Sequence, residues 1–282
     1  MTAGVRLRGW LLLILTLIVG CSHPDPGPSL IVGGSADPQI SLLANIYAAG
    51  LRYYGTDARV QTVADPVAAL DSGIVSVTPG FTGRLLQRFA PGSAARSAEQ
   101  VFRAMIGALP EGVAAGDYAV AAEDKPALAV TGAAAASWGS RDLTALVQHC
   151  AGLRIGVVAG VSVPAAVGEC ALPSAREFPD TATLFAALRD GSVTAAWTAT
   201  AETGVPDGVV VLVDRKPTLV PAENVVALYR RNELGKMQLR AINELAGVLD
   251  TASLVDMLRQ VKGGSDPRAV AEAWLAANPL GK

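Results

Sequence analysis

Short apolar, mostly β-branched runs alternate with stretches of helical period along almost the whole chain, and this alternation restricts the fold more than any other feature. Leu30-Ile31-Val32 reads as a strand turned by Gly33-Gly34-Ser35. The helix after it carries Leu43, Ile46, Tyr47, Gly50, Leu51 and Tyr54 on one face, and Gly55 is its stop. Val60 to Val63 is the next strand. Asp65-Pro66 supplies an N-cap and a proline at the first helical position, and Gly73 closes that helix. Ser97 and Gln100 form a capping box for a helix that buries Val101, Phe102, Met105, Ile106 and Leu109. Later strands are predicted at Ala127 to Thr131, Arg154 to Val158, Ser192 to Trp197, Val209 to Val213 and Val225 to Tyr229. Between them lie a helix capped by Ser140 and another from Thr181 to Arg189, and three helices close the chain from about Met237 onward. Val161 to Pro179 shows no clear period. Alternating β and α elements imply an α/β fold with parallel or mixed sheets.

One stretch stands out, Ile74 to Phe89. Ile74, Val75 and Val77 suit a buried strand, Thr78-Pro79-Gly80 is expected to break it, and Leu85, Leu86 and Phe89 return at helical spacing. Phe81 and Thr82 then stand at a helix N-terminus, where free N–H groups and the positive end of the helix dipole face outward. In open α/β sheets the crevice beyond the carboxyl ends of the strands is where ligands bind. A phenyl face, a hydroxyl and spare donors suit a small molecule with an apolar and an anionic part. An ordinary βα turn with Phe81 as core packing is the other reading.

The N-terminus bears on the compartment. Arg6 and Arg8 precede an apolar run from Trp10 to Val19, too short for a comfortable membrane span but suited to a secretory signal. The run ends Leu17-Ile18-Val19-Gly20-Cys21, which resembles the bacterial lipobox; cleavage before Cys21 would leave its thiol lipid-modified. Residues 1–20 are then a lipoprotein signal peptide and residues 21–29 a Pro-rich tether. A plain signal peptide with a chance cysteine is the alternative. An exported chain meets oxidising conditions, so Cys150 and Cys170 can pair, or stand as two buried thiols. A net charge of −2 without a basic block argues against nucleic acid, and two histidines with no Cys/His cluster argue against a metal centre. No nucleophile elbow, P-loop or dinucleotide fingerprint occurs. His149 beside Cys150 is expected to be a helix-terminal histidine, because adjacent residues on a helix do not face each other.

In this order of elements the chain resembles the substrate-binding proteins of osmoprotectant ABC transporters, the glycine betaine/choline/proline-betaine family. The resemblance is carried by Val32-Gly33-Gly34-Ser35, Asn45-Ile46-Tyr47-Ala48, Ala69-Leu70-Asp71-Ser72-Gly73 and Pro79-Gly80-Phe81-Thr82-Gly83, where the family typically has Pro-Glu-Tyr-Thr-Gly. Further carriers are Ala127 to Thr131, Ala187 to Gly191, Val209 to Asp214, Pro221 to Asn224, and Asp266-Pro267 with Val270, Ala271 and Trp274-Leu275. The resemblance implies a two-lobed periplasmic-binding-protein-like fold (type II). Two mixed-sheet lobes would be joined by crossovers near Pro126 and near Asp214 to Pro217 and would close like a hinge. Residues 30–126 together with 215–282 would form lobe I, and residues 127–214 lobe II. The implied function is capture of a small osmoprotectant-like solute and its delivery to ABC permease subunits. The protein would be a monomer lipid-anchored outside the cytoplasm, without catalysis, cofactor or metal.

The family holds quaternary amines in a box of tyrosine faces by cation–π attraction. Here Phe81 stands for one box tyrosine and Thr82 keeps the hydroxyl. Pro126 falls where a second tyrosine is usual, Thr198 near a third and Ala222 at the fourth. Ala36 stands for a lysine, and Ala201 beside Thr200 for an aspartate. Arg176 is a poor substitute for the family's second-lobe arginine. Trp138 and Trp197 could replace lost rings or be core. Asp37, Asp124 and Glu223, with Lys125 and Asn224 beside them, lie at or next to the expected cleft loops, where a carboxylate could meet a polyol or an amine, or be solvated. Each well-placed ring contributes roughly 0.5–2 kcal/mol, so losing three of four would weaken quaternary-amine binding by powers of ten. That loss motivates a second reading: a repurposed surface lipoprotein, sensor or accessory, with a non-betaine ligand such as a polyol or an aromatic compound.

Overall fold

The computed structural model describes Met1 and residues 29–281. Apart from Met1, the expected signal segment lies outside the described residues, as do Cys21 and the tether through Pro28. In chain order the elements are β1 (Leu30–Gly34), α1 (Pro38–Tyr53), β2 (Ala58–Thr62), α2 (Pro66–Asp71), β3 (Val77–Phe81), α3 (Thr82–Phe89), α4 (Ala98–Ala108), β4 (Val113–Ala115) and β5 (Pro126–Thr131). Then come α5 (Gly132–Ser137), α6 (Leu143–Gln148), β6 (Ile155–Val158), β7 (Ala166–Val167), β8 (Cys170–Ala171), β9 (Arg176–Phe178), α7 (Thr181–Arg189) and β10 (Ala195–Ala199). The last are β11 (Val209–Val211), β12 (Val225–Arg230), α8 (Lys236–Val248), α9 (Thr251–Lys262) and α10 (Pro267–Ala277). No helix among the described residues is long and apolar enough to cross a membrane.

Two mixed five-stranded sheets result, ordered β2-β1-β3-β12-β4 and β11-β5-β10-β6-β9. The chain leaves the first sheet after β4, builds the second, and returns through residues 212–224 to β12. Strand alternation puts a core on each face of both sheets. Val225 and Ala227 of β12 face α1 and the C-terminal helices, while Val226 and Leu228 face α2 to α4. In β10, Trp197 and Ala196 divide in the same way between the two cores of the second sheet. Helix α1 lies so close to α8 that a Cβ on Gly50 would stand 2.5 Å from Leu245 Cδ1, so the packing there requires glycine.

Local signals translate directly into helix starts. Asp65 accepts from the N–H groups of Val67 and Ala68, Asp266 from those of Arg268 and Ala269, and Ser97 with Gln100 closes a capping box. Ser140 does not cap α6: Asp142 is the N-cap residue, and the Ser140 hydroxyl accepts from the Asp142 N–H. The unpatterned stretch after Val161 holds β7, β8 and β9, each too short to show a period. Cys150 and Cys170 are joined by a disulfide that ties the end of α6 to β8.

The largest local departure is at β3. Ile74 is half exposed and outside the strand, and Thr78-Pro79-Gly80 runs within it. Proline is tolerated because of where its nitrogen points. Pro79 pairs with Ala227, whose carbonyl accepts from Gly116 on the far side of β12. Alternation therefore turns the Pro79 nitrogen away from β12 toward β1, whose ladder with β3 ends at Val77.

Candidate functional site

Strand β3 ends at Phe81, and α3 begins at Thr82 without a break. Asn224 holds the junction. The Thr82 N–H donates to the Asn224 carbonyl at 2.9 Å, and the Thr82 hydroxyl accepts from the Asn224 N–H at 3.0 Å. Asn224 Nδ2 donates in turn to the carbonyls of Ala119 and Val120, in the passage between the sheets, while its Oδ1 is buried and has no hydrogen-bond partner among the described residues.

The donors at the head of α3 are not free, which corrects the expectation of an open anion seat. The Glu223 carboxylate fills it, accepting from the Arg84 N–H at 2.8 Å. A Cβ on Gly83 would stand 2.6 Å from the Ala222 carbonyl and 2.7 Å from Glu223 Oε1, so glycine is what lets the carboxylate approach. Burial pushes the Glu223 pKa up to about 7, against the opposing pull of the Arg84 and Gly83 N–H groups and the Arg84 charge. Glu123 is raised in the same direction by its burial, with Lys125 opposing.

The Phe81 ring is covered as well. The Arg84 guanidinium carbon lies 4.4 Å from the ring centroid, and Arg84 Nη2 donates to Asp124 Oδ2 at 2.9 Å. Phe81 and Asp124 are buried, whereas half of the Arg84 side chain faces solvent. Sequence reasoning passed over Arg84, although Phe81 and Arg84 are three residues apart at the head of a helix, a spacing that puts them on one face.

The remaining candidates divide. Asp124 Oδ1 also accepts from the Ala201 N–H at 3.2 Å, and Asp37 and Asp124 both line a narrow cavity of about 140 Å³ together with Ala199, Ala201 and Lys262. Asp37 is itself the N-cap of α1, accepting from the Gln39 and Ile40 N–H groups. Lys125 is buried in an ion pair with Asp214. The Thr200 hydroxyl accepts from the Lys125 N–H and donates to the Glu123 carbonyl. Thr198 pairs with Ala127 in the second sheet, and its buried hydroxyl has no partner among the described residues. Trp197 is a correction to the expected site: its ring is core of the second sheet, 3% exposed, where apolar packing accounts for it. Trp138 stacks on His149, with ring centroids 5.0 Å apart, and does not replace a lost ring beside Phe81. Arg176 lies on the edge strand β9 over Phe178.

Beside Phe81 opens a cavity of about 680 Å³, at the carboxyl ends of the parallel strands β1, β2 and β3. Its wall is mostly apolar, from Ile40, Val67, Pro79, Phe81 and Leu85. Arg84 and Arg88, one turn apart on α3, supply charge at its edge, and Arg88 is paired with Asp65. Every lining residue comes from the first-sheet half of the chain. Among the described residues no group of three or more His, Cys, Asp or Glu is arranged to hold a metal ion.

Residues 172–277 match the family model of the substrate binding domain of ABC-type glycine betaine transport systems. The fold recurs in solved structures. Apo YehZ from Escherichia coli is 20% identical, with a TM-score of 0.69 over 89% of this chain and 99% of that one. A glycine betaine/carnitine/choline ABC transporter structure is 15% identical, with a TM-score of 0.74 over 89% and 98% of the two chains. An ABC-transporter choline binding protein in complex with choline is also 15% identical, with a TM-score of 0.54 over 89% of each chain. No curated protein matches the sequence. The resemblance read from the sequence is borne out: the chain has the two-lobed mixed α/β fold of periplasmic-binding-type proteins, and its residues 172–277 are similar to the substrate-binding domain of ABC-type glycine betaine transport systems.

Proposed function

We propose that the chain is a lipid-anchored solute-binding protein that takes a small solute into the cavity beside Phe81 and delivers it to ABC permease subunits. The observation that carries the reading is the position of that cavity, in the crevice beyond the carboxyl ends of β1 to β3 of a two-lobed fold. No bond of the solute is made or broken. The two passages between the sheets, around Lys125 and Asp214, serve as the hinge on which the lobes close. Lobe I is assigned residues 30–126 and 215–282, and lobe II residues 127–214.

A thermal-shift screen of betaines, choline, carnitine, polyols, sugars and aromatic compounds, followed by calorimetry, tests the capture step. Saturable stabilisation by one solute class is expected, and a silent panel would sink the reading. For the anchor, Cys21→Ala should move the protein from the membrane fraction to the soluble one.

A second reading, a repurposed surface lipoprotein serving as sensor or accessory protein, is favoured by one observation: the single ring at the site, Phe81, is already covered by Arg84. The apolar wall of the cavity then suits an aromatic compound better than a polyol. Genes for an ABC permease and ATPase beside this one would favour the first reading, and their absence the second.

A further inference from the structure

A phenyl face beside a buried carboxylate is a general recipe for holding an ammonium or guanidinium group: the ring quadrupole attracts the cation and the carboxylate neutralises it. Phe81 and Asp124 make that arrangement, and it is occupied. The Arg84 guanidinium carbon is 4.4 Å from the Phe81 centroid, and Arg84 Nη2 is 2.9 Å from Asp124 Oδ2. The neighbouring seat for negative charge is filled too, since the Glu223 carboxylate accepts from the Arg84 N–H at the head of the eight-residue helix α3. Both halves of a zwitterion thus have stand-ins drawn from the chain itself.

We propose that Arg84 is a tethered surrogate cation. It fills the cation subsite formed by Phe81 and Asp124, closes that subsite to free quaternary ammonium and guanidinium solutes, and thereby sets the charge class of solute that the protein accepts. The proposal rests on the reading of the crevice as a solute site. Tethering is the reason the side chain wins. A group attached one turn away competes at an effective concentration of at least the order of millimolar, and it loses no translational freedom on docking. Arg84 can also leave without disturbing the core, because about half of its side chain, 52%, is exposed, whereas the Phe81 ring beneath it is 1% exposed. Its removal uncovers an aromatic face with a buried carboxylate beside it.

The test compares the full wild-type chain with Arg84→Ala and Arg84→Met, reading melting temperature against tetramethylammonium, choline and methylguanidinium at up to about 10 mM, with sodium chloride at equal ionic strength as control. Wild type should not respond. Both variants should gain about 2 °C or more, saturably, from at least one of the cations, and Asp124→Asn added to Arg84→Ala should abolish that gain. Two variants are used because methionine keeps the bulk of the arginine stem should alanine impair folding, which circular dichroism reports. Stabilisation of wild type by the same cations, or folded variants that bind none of them, would overturn the proposal. Its failure is distinct from that of the solute-binding reading, which is judged by the wider solute panel on wild type alone.

Discussion

Lys125 Nζ stands 3.3 Å from Asp214 Oδ2, and the pair joins the two lengths of chain that pass between the sheets. Both side chains are buried, and Asp214 also accepts from the Leu219 and Val220 N–H groups. The partners are unequally supported. Without Asp214, Lys125 keeps only Glu123, at 3.8 Å, among the described residues. Asp214→Ala should therefore cost about 3–5 kcal/mol, the usual loss when a buried ion is left uncompensated. Lys125→Met should cost less, because Asp214 retains its backbone donors. Urea denaturation of the two variants measures the difference, and equal losses would show that the pair has no such asymmetry.

Glu223 should make stability depend on pH. Its pKa is raised from 4.5 to about 7 by burial, so between those values the folded state holds a proton that the unfolded state has released. This contribution is fully present below pH 4.5, falls as pH rises, and is lost above about 7. Glu223→Gln keeps an acceptor for the Arg84 N–H without the buried charge. It should flatten the decline and be the more stable form at pH about 8, by on the order of 2–3 kcal/mol. Melting temperature against pH for both proteins is the measurement, and parallel curves would remove Glu223 as the cause.

Gly83→Ala would force a Cβ against the Ala222 carbonyl and Glu223 Oε1. We expect a loss of about 1–3 kcal/mol, typical of overpacking. A weaker pH dependence should accompany it, since the carboxylate that titrates is the group pushed away. A folded variant with wild-type stability and pH profile would mean that the junction yields more readily than its spacing implies.

The Cys150–Cys170 disulfide closes a loop with a sequence separation of 20. Replacing both by serine should lower stability by roughly 3 kcal/mol in the chain-entropy view. Reduction of wild type should have the same effect, and the doubly substituted protein should be indifferent to reductant. A response of the variant to reductant would point elsewhere.

What could be read from the chain was what neighbouring residues settle. The Asp65-Pro66 and Asp266-Pro267 caps, the Ser97–Gln100 box, the β-branched runs of β5 and β12 and the family-like segments each act over a few residues, and each left a pattern. Local pattern places a break at Thr78-Pro79-Gly80 that strand β3 does not have, because the harmlessness of Pro79 depends on which neighbour its nitrogen faces, and that is set by Ala227, far along the chain. Strands β7, β8 and β9 left no period, being two or three residues long. Trp197 could not be assigned to core or cleft until the register of β10 turned it into the second sheet.

The site depended still more on distant partners. Phe81 and Thr82 were legible as a corner at the head of a helix, but not what meets them there. Arg84 reaches Asp124 across 40 residues of sequence, and Glu223 reaches the Arg84 N–H across 139. The sequence by itself determined an alternating α/β chain with Phe81 and Thr82 at a strand-to-helix corner, because periodicity, caps and residue identity are local properties. Only the tertiary structure decided that the Phe81 ring carries the protein's own guanidinium and that the helix head carries its own carboxylate. Charge pairing of that kind depends on distances in space, and no spacing along the chain encodes them.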